Sequence, residues 1–557
     1  MNEFNTLISL LASTTLIHNM RAISKISTEG FFDVSQISTD GRVSSGARGR
    51  SSAEAVLNRG NDTDPATLDH HHTSTVAEGN VLRDLYDGLT IQDADGKAIP
   101  GVAKSWDISE DGTVYTFHLR DNAKWSNGDP VTAGDFQFTF RRLMDPKTAA
   151  GYASMLFIIK NAEDAAAGKK PVDQLGVEAV DDHTLKITLN SPAPYFLELL
   201  THQTGFPLHQ KSVEANGDKF TTPGKMVTNG AYMLESFTPN DKIVMKKNPY
   251  YYEADQVKID KVNWIPFEDR ASCMRRFEAK EVQICSDVPA EQMDYVKKNL
   301  SKEFRMAPYL GVYYLPVKGK TADSKLKDPR VRQAISMAID RDFLADQVWQ
   351  GTMIPGYSMV PPGIANYVKD APKLDYSDDM LEREDKAKEL LKEAGVEPNT
   401  LSIELLYNTS ENNKNTMAAI ADQLGNIGIK ARLNETEGAS YFNFLREDGP
   451  FDIARASWIG DYNDPQNFLY ISQGNVSFNY AKWKNADYDA LMAKAEKTQD
   501  LGERANILAD AAKIQLNELG AIPILYYSSL ALVSSDVDGW NDNLMNSRKT
   551  RWLSLKK

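Results

Sequence analysis

Residues 401–433 read LSIELLYNTSENNKNTMAAIADQLGNIGIKARL, and the spacing of their apolar side chains changes twice. Residues 401–407 alternate as a strand does. Over 413–427, Met417, Ile420, Ala421 and Leu424 recur on one helical face, and 429–433 return to a strand. A strand, a helix and a strand in so short a span make a βαβ unit. Its two strands lie parallel, with a right-handed crossover between them. The fold class is therefore α/β. Residues 451–456, Phe-Asp-Ile-Ala-Arg-Ala, read as a short buried strand continuing that sheet, and Asn463-Asp464-Pro465 forces a turn soon after it. Arg455, Trp458 and Asp461 thus fall at or past the carboxyl end of a strand, and the loop Asn408-Thr409-Ser410 leaves the same sheet edge. Small ligands bind there in open α/β sheets, because the diverging loops leave a crevice. A guanidinium, an indole and a carboxylate suit a zwitterion. The competing reading pairs Arg455 and Asp461 with neighbouring segments and packs Trp458 in the core.

A chain of 557 residues exceeds what one hydrophobic core serves, so two to four domains are expected. The 63 basic and 77 acidic side chains leave a net charge of -14, which repels polyphosphate, and no basic aromatic-studded stretch appears, so nucleic acid is not an expected partner. No apolar run is long enough to span a bilayer. Residues 7–17 are moderately apolar but follow Glu3 rather than Lys or Arg, and 28–52 are rich in Ser, Gly and Arg. Residues 1–52 are expected to be disordered or foreign to the fold.

Along the chain, 80–88 reads as a helix closed by Gly88, 114–119 and 180–189 as alternating strands, and Asn127-Gly128 as a tight turn. Thr132 followed by Asp135 resembles a capping box. Asp328-Pro329-Arg330 opens an amphipathic helix. His70-His71-His72 cannot all face one ion from an extended loop, and no partner ligand stands at a helical spacing beside them. No nucleophile elbow, phosphate loop, H-E-x-x-H or C-x-x-C motif is present, so no enzyme chemistry is legible. Cys273 lies in a helical stretch, 269–279, and Cys285 in the strand that follows. The two either bridge in an oxidising compartment or stay separate buried thiols.

Gly101-Val-Ala-Lys-Ser-Trp106, Tyr115-Thr-Phe-His-Leu-Arg120, Lys124-Trp125-Ser-Asn-Gly128-Asp129-Pro130, Asp328-Pro-Arg330-Val-Arg332 and the stretch around Asp461 occur in an order that resembles the periplasmic oligopeptide-binding proteins. These are the solute receptors of peptide-importing ABC transporters, and the resemblance covers 54–557. It implies a type II, cluster C periplasmic-binding-protein-like fold with a two-segment hinge. Lobe I would comprise 53–86, 212–309 and 529–557, an inserted domain II 87–211, and lobe III 310–528.

By the same resemblance, Ser74, Thr75 and Val76 on one lobe and Ser457, Trp458 and Ile459 on the other offer extended backbone to a peptide. Asp461 accepts its α-ammonium, and Arg455 and Arg446 receive its carboxyl end. Tyr152, Tyr309, Tyr314, Asn408 and Asn413 line the site. No metal or cofactor is implied. The partners are short peptides and inner-membrane permease subunits, and the receptor is expected to be a periplasmic monomer. Asn413 stands where the best-known receptors have histidine, and Gly438 or Ala439 where they have a stacking tryptophan. The disulfide of enteric receptors is absent, its positions matching Gly311 and Ile459. Murein peptides and haem are the alternative ligands for this fold, and an enzyme is the rival class.

Overall fold

Two strands of 13 residues, Phe304–Pro316 and Ala521–Val533, run antiparallel through the middle of the chain and tie its parts together. The computed structural model describes residues 54–61, 63–73, 75–267, 269–436 and 438–556, without the side chains at 290, 439, 440 and 443. The expectation for residues 1–52 and the assignment of Ser74 lie outside them. On one side of the long pair the sheet continues through Ile284–Cys285, Val56–Asn61, Lys261–Pro266, Lys242–Lys247 and Tyr232–Thr238. On the other side its last strand is Ala456–Ile459. The register of the long pair shifts between Pro308 and Val312, a local irregularity where the chain passes from one half of the molecule to the other.

The βαβ unit is present. Ser402–Asn408 lies between Lys430–Thr436 and Ile453–Ala454 and is parallel to both, with the helix Glu411–Asn426 as crossover. The central strand is buried from Ile403 to Tyr407, as a strand covered on both faces must be. Met417, Ile420 and Leu424 turn inward to meet Leu405 and Ile429. Residues 451–456 do not form one strand. Ile453–Ala454 ends in the small sheet and Ala456–Ile459 begins in the large one, with Arg455 at the switch.

Four further readings need correction. The stretch 180–189 is not one strand but the end of Val177–Asp181, a turn, and Thr184–Thr188. Asp181 Oδ1 accepts from the His183 N–H at 2.8 Å, the local bond that lets aspartate break a strand. The helix expected over 80–88 begins earlier, as Val76–Leu85. Thr75 and Glu78 form a capping box, with the Thr75 N–H donating to Glu78 Oε2 at 3.0 Å and the Glu78 N–H to Thr75 Oγ1 at 3.2 Å. Thr75 is extended, but Val76 is the first helical residue rather than part of an extended segment. Tyr314 alternates with Tyr313 along its strand, and with Val312, Tyr441 and Phe451 it belongs to the core of the second half. It is 2 % exposed, a core residue rather than part of an accessible cleft surface.

One continuous apolar core joins the strands of the first half to the four-stranded sheet of 103–188, and two more lie on opposite faces of the long strands. Cys273 and Cys285 are bonded to each other, with Cα atoms 6.0 Å apart, inside a small fourth cluster. Among the described residues no helix is long and apolar enough to cross a membrane.

Candidate functional site

The strand Ala456–Ile459 pairs with Phe304–Pro316 on one side, and among the described strands nothing pairs with its other side. The Gly460 N–H donates to Leu310 O at 2.8 Å. Main-chain direction alternates along a strand, so Trp458 also turns its polar groups to that neighbour, while Ser457 and Ile459 turn theirs outward. Among the described residues the free edge is thus a row of unmet backbone donors and acceptors, able to take an extended chain as a further strand. Gly311 lies directly across from Ile459, where an added Cβ would come within 2.5 Å of Ile459 Cδ1. Glycine there leaves room for the isoleucine.

Arg455 is held where the chain changes sheets. Its N–H donates to Leu406 O at 2.8 Å, and its side chain is 8 % exposed. One terminal nitrogen donates to Asn408 Oδ1 and the other to the Tyr527 hydroxyl, both at 3.2 Å. The guanidinium carbon sits 4.8 Å from the centre of the Tyr313 ring. Asn413 is fixed beneath, donating to Asn408 O at 3.2 Å and accepting from the Tyr313 hydroxyl at 3.4 Å. Burial opposes the charge of Arg455, but the oxygens of Tyr313, Tyr527 and Tyr441 outweigh it and hold the pKa above the ordinary value. Its side-chain hydrogen-bond partners Asn408 and Tyr527 are neutral, and Nε has none among the described residues. A buried guanidinium so placed retains capacity for an anion.

Asp461 follows at the end of the edge strand. The residue is exposed, yet the protein atoms around its carboxylate disfavour the charge and push its pKa up to about 6. Among the described residues it has no hydrogen bond or ion pair. Tyr152 and Tyr309 both feel its charge, which adds to burial in raising their pKa values. Tyr152 stacks on His202 with ring centres 5.6 Å apart. Neither tyrosine hydroxyl has a hydrogen-bond partner among the described residues.

The loop carrying Asp461 is fixed from behind. Arg504 grips Asp464 with two bonds, at 2.8 and 2.7 Å, both side chains being almost fully buried. Asn463 accepts from the Ala365 N–H at 2.9 Å and donates to Gly96 O at 3.3 Å, and Tyr462 stacks on Tyr195 at 5.1 Å. Trp458 belongs to this scaffold. Its indole N–H donates to Asn467 Oδ1 at 2.9 Å, and its ring packs against Tyr470 and Phe478.

The structure thus brings Arg455, Asn408 and Asn413 into one cluster and Asp461, Tyr152 and Tyr309 into another, with the free edge of Ser457 and Ile459 between them in sequence. Arg446 lies at the end of the helix Gly438–Arg446, exposed and bonded to Tyr480. Thr75 and the 47 % exposed Val76 lie at the start of their helix. Sequence reasoning missed Arg83, His202, Tyr313 and Tyr527. Among the described residues no group of three or more His, Cys, Asp or Glu side chains is placed to hold a metal. Around the three histidines, Asp69 is instead bound by Arg142 at 2.6 Å and by His72 at 3.0 Å.

Residues 97–480 match the family described as bacterial extracellular solute-binding proteins, family 5 middle. The periplasmic oligopeptide-binding protein OppA of Salmonella typhimurium is 38 % identical over 493 residues, covering 87 % of this chain and 89 % of that protein. The periplasmic murein tripeptide-binding protein MppA, in its unliganded open form, superposes with a TM-score of 0.84 at 33 % identity, over 90 % of this chain and 98 % of that one. Haemophilus influenzae OppA in complex with RPPGFSPFR superposes at 0.69 with 36 % identity, over 91 % of this chain and all of that one.

Proposed function

The chain belongs to the family 5 bacterial extracellular solute-binding proteins, with their type II periplasmic-binding-protein fold, and from that premise we propose that it is an extracytoplasmic receptor for short peptides. It takes them in the cleft between its lobes and delivers them to the permease of an ABC transporter in the inner membrane. The observation that carries this reading is the free sheet edge at Ser457 and Ile459 ending in the unpaired carboxylate of Asp461. A site that accepts many sequences must hold what all peptides share. The edge meets the backbone, Asp461 the α-ammonium, and Arg455 the carboxyl end.

Closure of the lobes about the two long strands then buries the ligand, and bridging waters fit its side chains. On this reading the lobes divide as 53–86, 212–309 and 529–557 against 310–528, with 87–211 inserted, and the receptor works as a periplasmic monomer without catalysis. Titration calorimetry with alanine tripeptide and small-angle scattering of the same samples test it together. Saturable binding, a smaller radius of gyration with ligand, and recovery of intact peptide are expected. Cleaved peptide whose formation tracks the pure protein would assign it to an enzyme class instead.

A further inference from the structure

On the lobe opposite Asp461, the helix Val76–Leu85 carries Val76, Gly79 and Arg83 on one face, since seven residues advance it by almost two turns. The Arg83 side chain folds back over Gly79 toward the start of the helix, the direction helical side chains take. A Cβ added at Gly79 would come within 2.8 Å of Arg83 Nη1, so glycine is what lets the guanidinium lie there. It ends beside Gln203, whose Oε1 accepts from Nη1 at 3.4 Å, a long bond. Among the described residues Arg83 has no ion pair and no other hydrogen bond. Its chain neighbour Asp84 is occupied by the N–H and hydroxyl of Thr550.

Besides the acceptor Gln203 Oε1, hydrogen-bond donors lie near Arg83. His202 accepts from the Thr204 N–H at Nδ1, and burial, then Arg83, keep its imidazole neutral, which leaves Nε2–H to donate. Tyr152 and Tyr309 add two unpartnered hydroxyls. Tyr309 lies between the two charges, drawn toward phenolate by Arg83 and away from it by Asp461. Among the described residues, donors beside a cation without an ion pair and a carboxylate without one, both acting on Tyr309, suit a ligand that carries both signs at one end.

We infer that Arg83 is a second ligand anchor, for a carboxylate held within about a dipeptide's span, ~7 Å, of the α-ammonium at Asp461. This rests on the peptide reading above. The carboxylate comes either from an acidic side chain on the first residue or from the C-terminus of a dipeptide.

Calorimetry on the full chain compares Glu-Ala-Ala amide with Gln-Ala-Ala amide, and Ala-Ala with its amide, alongside free alanine tripeptide. In the native protein the charged member of at least one pair should bind about thirtyfold tighter, the scale of a desolvated charge pair. Whichever pair shows this identifies the source. Arg83→Met should reduce the ratio to about twofold or less, and Arg83→Lys should keep part of it, because charge remains without the planar fork. Thermal melting establishes that each variant is folded, and the comparison in the native protein does not depend on either. If alanine tripeptide binds and neither pair discriminates, or if the ratio survives Arg83→Met, the inference falls and the peptide reading stands. If none of these peptides binds, both fall.

Discussion

Acidification should weaken peptide binding through Asp461, and the size of the effect follows from its surroundings. Burial without a cationic partner holds its pKa at about 6 in the open cleft. A bound ammonium stabilises the carboxylate, so the pKa falls on binding. Binding therefore selects the ionised form and releases the proton carried by the rest. The ionised share drops from about nine-tenths at pH 7 to about one-tenth at pH 5, while the α-amino group, with a pKa of about 8, stays charged. Affinity should fall about tenfold across that interval and level off above pH 7. Calorimetry of alanine tripeptide at several pH values measures it, and titrations in two buffers of different ionisation heat count about half a proton released at pH 6. Asp461→Asn and an N-acetylated ligand should each flatten the profile. An affinity that is constant from pH 5 to 7, or that rises on acidification, would refute the reasoning.

Thiol titration of denatured, unreduced protein should find no free thiol, and reducing the Cys273–Cys285 bridge, with its sequence separation of 12, should cost about 2 to 3 kcal/mol of stability in urea unfolding. Two reactive thiols before reduction would contradict this. Arg504→Met strands the buried carboxylate of Asp464 and should lower the unfolding free energy by about 3 to 5 kcal/mol. A loss below about 1 kcal/mol would mean that the ion pair does not hold the anchor loop. Arg455→Met removes a buried charge held by the neutral Asn408 and Tyr527, so ligand-free melting should barely change while peptides with a free carboxyl group lose affinity and their amides do not. An equal loss for both would make Arg455 purely structural.

The regular parts of this architecture were legible from local patterns. The period change over 401–433 gave the parallel unit because the periods of strand and helix differ so plainly. Thr132 with Asp135 and Asp328 with Pro329 marked helix starts by their capping chemistry. The start at Thr75 carried the same signal in Glu78 and was passed over, because the segment was read by resemblance as extended. The turn inside 180–189 was announced by Asp181-Asp182, which the alternation around it obscured.

Asp461 and Arg455 were found from their place after a strand and from resemblance. The free edge beside them depends on which long strand fills the other side, and the local sequence says nothing of that. Arg83 had no local signal at all. An arginine in the last turn of a helix is ordinary, and it becomes notable only when Gly79, Gln203 and the lack of a carboxylate partner among the described residues are seen together.

Pairing of Asp461 with the ligand's α-ammonium is the contact on which peptide binding turns. Calorimetry of a free-amine peptide and its N-acetylated form, each against the native protein and Asp461→Ala, closes a double-mutant cycle on that one contact. Asp461→Ala should cost the free-amine peptide about 2 to 5 kcal/mol, roughly thirtyfold or more in affinity, because the ammonium is left buried and unpaired. The acetylated peptide should bind both proteins equally weakly. Free-amine peptide bound as tightly by Asp461→Ala as by the native protein would contradict the claim.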